Sequence, residues 1–194
     1  MFALIDCDSF YVSCERLFRP DLRLKPVAVL SNNDGCIVSR SAEVKALGIP
    51  TGAPLFQVRR KLERAGATLF SSNYTLYGDL SQRVMTTLRE QSSETEVYSI
   101  DEAFVSLDGM RHDSWESYGL QLRRAVYQEV GIPVSVGLAP TKTLAKLANR
   151  VAKRGEGVCA LWRPSDIADV LHRMDTADVW GIGPRYARKL ASHG

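Results

Sequence analysis

Val97-Tyr98-Ser99-Ile100-Asp101-Glu102-Ala103-Phe104-Val105-Ser106-Leu107 is an apolar, alternating stretch interrupted by two adjacent carboxylates. The alternation predicts two half-buried strands, with Asp101-Glu102 at their junction. Charged side chains placed there lose hydration and repel each other, so the pair is tolerable when a metal or a basic partner neutralises it. A solvated hairpin tip is the plainer alternative. The chain opens on a second acidic strand end, Phe2-Ala3-Leu4-Ile5-Asp6-Cys7-Asp8. Two strand ends delivering three carboxylates to one point would bind hard divalent cations, which prefer oxygen ligands and keep positions free for substrate phosphates. The expectation is a two-metal phosphoryl-transfer enzyme.

Outward from these strands, the punctuation of the chain sets the remaining elements. Ser9 is placed to cap a helix running to about Phe18, with Phe10, Cys14 and Leu17 on its buried face and Tyr11 off it. Val27-Ala28-Val29-Leu30 and Cys36-Ile37-Val38-Ser39 flank Asn32-Asn33-Asp34-Gly35, whose Asp-Gly signals a tight hairpin turn. A short helix from Ser41 to Leu47 is stopped by Gly48 and Pro50. The stretch from Pro50 to Asn73, with Gly52, Pro54 and the basic run Arg59-Arg60-Lys61, reads as a small insertion. A long helix then carries Tyr77, Leu80, Val84 and Leu88 in register. Beyond the acidic hairpin come a helix with Trp115, Tyr118, Leu122, Val126 and Val130, a strand Val134-Ser135-Val136-Gly137-Leu138, a helix with Leu144, Leu147, Ala148 and Val151, and a strand from Val158 to Leu161.

With the insertion set aside, the order is strand, helix, strand, strand, helix, strand. This is an α+β, ferredoxin-like split β-α-β arrangement. In it the first strand and the central hairpin are neighbours, so Asp6 is expected near Asp101 despite the distance along the chain.

Past Trp162, Ser165 is expected to cap a helix bearing Ile167, Val170, Leu171 and Met174. Val179-Trp180-Gly181-Ile182-Gly183-Pro184 then leads into a basic helix with Arg185, Arg188 and Lys189. Gly181 and Gly183 leave backbone N–H groups accessible at a helix start, a seat for a nucleic-acid phosphate. A plain glycine-rich helix connection is the other reading.

The 194 residues are enough for one ordinary globular domain and a smaller module. Net charge is +3, but it is unevenly spread: residues 1–139 sum to −2 and residues 140–194 to +5. A basic last quarter suits a partner with a phosphate backbone. The opening apolar run ends at Asp6, too short for a signal peptide or a membrane span, so a cytoplasmic protein with no membrane partner is expected. Cys7, Cys14, Cys36 and Cys159 include no Cys-x-x-Cys pair, and His112, His172 and His193 form no ligand spacing with them. Reduced thiols and no zinc are therefore expected.

Four stretches in order, Ile5-Asp6-Cys7-Asp8-Ser9-Phe10-Tyr11, Ser39-Arg40-Ser41-Ala42-Glu43-Val44-Lys45, Ser99-Ile100-Asp101-Glu102-Ala103 and Lys142-Thr143-Leu144-Ala145-Lys146-Leu147-Ala148-Asn149, resemble the Y-family translesion DNA polymerases. Ser31-Asn32-Asn33-Asp34-Gly35-Cys36 and Val179-Trp180-Gly181-Ile182-Gly183 are similar to the UmuC-like branch, the catalytic subunit of bacterial DNA polymerase V. The resemblance implies a palm at 1–19 and 74–161, inserted fingers at 20–73, and a partial helical thumb with a helix-hairpin-helix at 162–194. It implies that Asp6, Asp101 and Glu102 hold two Mg²⁺ ions with help from the Cys7 carbonyl. By the same resemblance, the backbone amides of Phe10 and Tyr11, the Ser39 hydroxyl, Lys45 and Lys153 contact the nucleotide triphosphate. The resemblance further implies that Tyr11 is the steric gate against a ribose 2′-hydroxyl and that Gly52 and Ala53 lie over the nascent base pair; a core aromatic and a loop glycine before a proline are the plainer alternatives.

The implied partners are a DNA template-primer and dNTPs, then a processed UmuD dimer, the RecA filament and a sliding clamp. Two residues depart from the family pattern. Ala42 stands where a tyrosine is common, and Lys45 where arginine is common, a point charge without the bidentate fork. The family also continues past the second helix of the hairpin, so the chain looks truncated. Two other readings stand beside a catalytic core: a non-catalytic fragment that folds and binds partners or nucleotide, and a nucleotidyl cyclase on a similar palm. The second is weakened by the absence of a Gly-Gly-Asp/Glu-Glu-Phe signature.

Overall fold

The structure, a computed structural model, describes residues 1–92, 94–110 and 114–193. His112, one of the three histidines, lies outside the described residues. The chain forms two compact units, one of Met1–Asp6, Met85–Glu129 and the residues from Val134 onward, the other of Cys7–Val84 and Val130–Pro133.

The first unit is built on a five-stranded sheet. Its strands are β1 (Phe2–Cys7), β5 (Thr95–Val97), β6 (Glu102–Ser106), β7 (Val134–Ala139) and β8 (Val158–Ala160), in the order β5-β6-β1-β7-β8. The first four give the ferredoxin-like order, and β8 extends it parallel to β7. β1 runs antiparallel to β6 with Asp6 opposite Glu102. The first strand of the acidic hairpin is shorter than its apolar pattern suggested. β5 ends at Val97, and the chain turns through Tyr98–Asp101, where the Tyr98 and Ser99 amides both donate to the Glu102 carbonyl. β5 is an edge strand, so Val97 and Tyr98 stay about half exposed.

Helix α6 (Lys142–Ala152), capped by the Thr141 hydroxyl, lies over this sheet. Ala145 and Ala148 pack with Leu4, Phe104, Ala139 and Leu161 in one core cluster. Gly137 makes that approach possible: a Cβ there would sit 2.1 Å from the Asn149 amide nitrogen and 2.4 Å from the Ala145 carbonyl oxygen. Buried Asn149 then ties the helix to two strands, its side-chain amide donating to the carbonyls of Ser135 at 2.7 Å and Leu4 at 3.3 Å. Helix α5 (Trp115–Val130) buries Tyr118, Leu122 and Val126 as its spacing predicts.

Helix α7 (Pro164–Arg173) starts two residues earlier than expected. Arg163 occupies the cap position and Pro164 the first turn, so Ser165 lies inside the helix and bonds Asp166 instead. Leu171 of its expected apolar face is about half exposed, while Ile167 and Val170 pack on the core. Helix α8 (Pro184–Ala191) follows Gly183, and Arg185, Arg188 and Lys189 are exposed on it.

In the second unit, helices α1 (Phe10–Phe18), α2 (Ala42–Ala46) and α3 (Leu55–Arg64) accompany a three-stranded sheet of β2 (Val27–Leu30), β3 (Ile37–Arg40) and β4 (Thr68–Phe70), ordered β3-β2-β4. Helix α4 (Tyr74–Glu90) begins here and buries Tyr77, Leu80, Val84 and Leu88 along its length. The β2–β3 connection is a six-residue loop rather than a two-residue turn. The Ser31 amide donates to the Cys36 carbonyl, and Asp34, not Gly35, takes the left-handed conformation with φ 55°. The register also shifts between Val29 and Leu30. Ser41, expected inside α2, instead caps it through its hydroxyl, accepting from the Val44 amide.

The face of α1 differs from its sequence pattern. Phe10, Val12 and Cys14 are buried and Leu17 is exposed. Ser9 occupies the cap position in the left-handed conformation, φ 46°, but its side chain makes no capping bond. Its hydroxyl instead accepts from Lys45 Nζ at 2.9 Å.

Candidate active site

β1 and β6 put Asp6 and Glu102 side by side on adjacent strands, which is why the two acidic stretches had to meet. Asp6 is buried, with 7% of its surface exposed. Burial pushes its carboxyl from the ordinary 3.8 up to about 7; the Lys153 ammonium pulls it the other way, and the neighbouring Glu102 carboxylate adds to the rise. Lys153 Nζ lies 2.6 Å from Asp6 Oδ1, and Lys146 Nζ lies 2.6 Å from Glu102 Oε2.

Both lysines come from α6 or its C-terminal cap, and they belong to a larger pattern. Lys142, Lys146, Arg150 and Lys153 recur at i, i+4, i+8 and i+11, one face of a helix. Each meets an acid from a different element: Lys142 pairs with Glu96 of β5 at 2.5 Å, Arg150 with Asp178, and the other two with the site carboxylates. Sequence reasoning singled out only Lys153. The spacing of the other three was legible, but no rule of spacing says that an acid stands opposite each one.

The Asp101 side chain makes a bond of its own. Its carboxylate accepts from the Ser99 hydroxyl at 2.7 Å within the hairpin turn, because it precedes β6 and is held by local turn chemistry. Strand pairing sets Asp6 opposite Glu102, and among the described residues no group of three or more His, Cys, Asp or Glu side chains is placed to hold an ion. The donor chemistry nonetheless fits a hard divalent cation: two oxygen-only side chains share a half-dry spot and already draw cations to themselves. A cleft of about 440 Å³ opens there, lined by Asp6, Glu102, Lys146, Lys153, Asp178 and Trp180 among others.

In the second unit, the Tyr11 ring is half-buried and stacks on Tyr77, centroids 4.3 Å apart and planes 13° from parallel. Tyr74 meets both rings edge-on. Tyr77 is fully buried, and its hydroxyl donates to Glu15 at 2.7 Å. Phe10 is buried, Ser39 is half-buried on β3, and Lys45 is exposed on α2. Cys7 is buried at the end of β1. Gly52 is exposed with φ 81°, and Ala53 is buried, its carbonyl accepting from the Ile37 amide. In the first unit, Gly181 has φ 86°, and Gly181 and Gly183 are exposed beside the cations of α8. Among the described residues no cysteine is in a disulfide and no helix is long and apolar enough to cross a membrane.

Residues 5–150 match the model of the impB/mucB/samB family. The chain is 48% identical to the protein UmuC of Salmonella typhimurium over an alignment of 199 positions, covering all of this chain and 47% of that one. It is 50% identical to the protein ImpB of Salmonella typhimurium, again over the whole chain and 47% of that protein. Among solved structures, the insertion ternary complex of Dbh DNA polymerase superposes with a TM-score of 0.88 at 27% identity, covering all of this chain and 58% of that one. The chain thus spans about half the length of the curated relatives it matches.

Proposed function

The chain belongs to the impB/mucB/samB family of Y-family DNA polymerases, and from that premise we propose that it carries the nucleotidyl-transfer machinery of a translesion DNA polymerase. The observation that carries this reading is the Asp6–Glu102 pair, joined across two strands and already matched by two ammonium groups. One of these carboxylates is buried and the other largely shielded, an arrangement that costs stability unless cations accompany it, and this supports reading the pair as a cation site.

On this reading Asp6, Glu102 and Asp101 hold two Mg²⁺ ions, with the Cys7 carbonyl as a further oxygen donor. When bound, such ions activate a primer 3′-hydroxyl and neutralise the triphosphate and the departing pyrophosphate. The protein's own part is positioning and charge. Lys153, held beside Asp6, supplies a cation for the triphosphate. Lys45 and Ser39, with the amides of Phe10 and Tyr11, are the further phosphate contacts that the family resemblance implies. Tyr11 excludes the ribose 2′-hydroxyl, and its stack on Tyr77 keeps the ring from turning aside. Gly181, Gly183, Arg185, Arg188 and Lys189 contact the DNA backbone.

The substrates are a template-primer and dNTPs; a processed UmuD dimer, the RecA filament and a sliding clamp are the partners such a protein would meet. The palm occupies 1–19 and 74–161, the fingers 20–73 and a partial thumb 162–194.

Extension of a labelled primer on an undamaged and on an abasic template, with Mg²⁺ and dNTPs, tests the proposal. Synthesis that disappears in Asp6→Ala and Asp101→Ala supports it. Synthesis unchanged by both substitutions would overturn it, and product formed from nucleotide alone would point to a cyclase.

A further inference from the structure

Lys146 touches more than Glu102. Its ammonium lies 4.5 Å from the Tyr98 ring centroid and 5.3 Å from that of Trp180. Those rings meet edge-on at 5.5 Å, and both lean on buried Phe104 of β6, at 5.8 Å and 5.9 Å. The lysine and Glu102 side chains are only 18% and 20% exposed. A flexible lysine is thereby confined between two aromatic faces and one carboxylate, all within the first unit. Trp180 sits one residue before Gly181, at the root of the glycine turn that leads into α8.

Confinement of this kind has a chemical consequence. An ammonium at 2.6 Å holds Oε2 of Glu102 and so competes with any divalent ion for that oxygen, and an aromatic cage lowers the free energy of the lysine in that place. Surface lysine pairs are worth little because the side chain is free to leave; this one is held from behind.

We infer that Lys146, caged by Tyr98 and Trp180, is a positioning residue that occupies Glu102 as a resident counter-cation and sets how readily a divalent ion is admitted there. The inference rests on reading Asp6 and Glu102 as metal ligands.

Mn²⁺ binding to the whole chain, followed by the loss of the free-ion paramagnetic resonance signal without nucleotide or DNA, tests this. Lys146→Met keeps the apolar stem but removes the competing charge, and is expected to tighten Mn²⁺ about tenfold, between the fully screened and partly buried limits for one charge. Lys146→Arg should stay near the parent value. Trp180→Leu, which removes one wall of the cage, should tighten binding about two- to fivefold, the worth of an exposed cation–aromatic contact. Unchanged or weaker binding in Lys146→Met, or equal tightening in Lys146→Arg, overturns the inference while leaving the metal reading intact if Asp6→Asn abolishes binding. Mn²⁺ binding indifferent to Asp6→Asn overturns both. Circular dichroism melting of each variant separates lost folding from lost competition, and Trp180→Leu is an independent arm should Lys146→Met not fold.

Discussion

Asp6→Asn is expected to stabilise the metal-free protein, and only above mildly acidic pH. The folded-state pKa of Asp6 lies above its ordinary value, at about 7 against 3.8. A group raised in this way contributes its full stability below the unfolded pKa and loses it as pH rises through the folded one. The window is therefore about pH 4 to pH 7. A tenfold change in proton affinity is worth about 1.4 kcal/mol, so the rise taken at face value amounts to about 4 kcal/mol lost across the window. Lys153 is partly exposed and Glu102 shares the site, so a net of about 2 kcal/mol is the sounder figure for the ionised carboxylate at pH 8.

Asparagine keeps the shape without the charge, and for a chain of this size about 2 kcal/mol corresponds to a rise in Tm of about 4–8 °C. The assay is thermal unfolding in chelator at pH 8 and at pH 4.5, parent against variant. The gain should be present at pH 8 and nearly gone at pH 4.5. A variant less stable than the parent at pH 8 would refute the reasoning, because the Lys153 ion pair would then outweigh burial. So would a pH-independent difference. Adding Mg²⁺ should narrow the gap by stabilising the parent alone.

Tyr11→Ala should cost about 2 kcal/mol, more than a stacked aromatic pair alone and less than the roughly 3–5 kcal/mol of a fully buried ring. Primer extension with rNTPs should rise relative to dNTPs, and unchanged sugar discrimination would leave Tyr11 a packing residue. Gly137→Ala should cost at least about 3 kcal/mol, the upper end of overpacking, since its Cβ meets backbone and not a yielding side chain; a melting temperature near the parent's would show that α6 can lift off β7. Cys14 is buried and its thiol is pushed up to about 12, chiefly by burial and then by Glu15. Below that pH it stays a neutral thiol, so it should resist iodoacetamide at pH 8 in the native protein and react once denatured. Arg185→Ala with Arg188→Ala should weaken duplex binding and flatten its dependence on log salt by about 2, read by fluorescence anisotropy; an unchanged slope would place the phosphate contacts elsewhere.

Much of this protein was legible from short-range pattern. The helices α4, α5 and α6 follow from apolar residues at turn spacing, and the end of α2 follows from Gly48 and Pro50 after it, because helix stops and periodicity are local physics. The strand order followed from connectivity, and with it the meeting of β1 and β6 that joins Asp6 to Glu102. Other readings failed where a local rule met a non-local competitor. Ser9 has the residue type of a cap, but its hydroxyl is taken by Lys45, 36 positions away. Leu17 fits the apolar stripe of α1, yet Val12 is the side chain that is buried. Asp101 and Glu102 are chemically alike neighbours in the chain. The tertiary structure gives them different partners: strand pairing sets Glu102 opposite Asp6, while the serine two residues back donates to Asp101.

The counter-charges show the same division. Residue type and helical spacing place Lys142, Lys146, Arg150 and Lys153 on one face of α6, and nothing more local is needed for that. Which acid each one meets, and that Trp180 closes over Lys146, depends on chain segments tens of residues apart packing together. Periodicity is a property of one segment, whereas a site is a property of several.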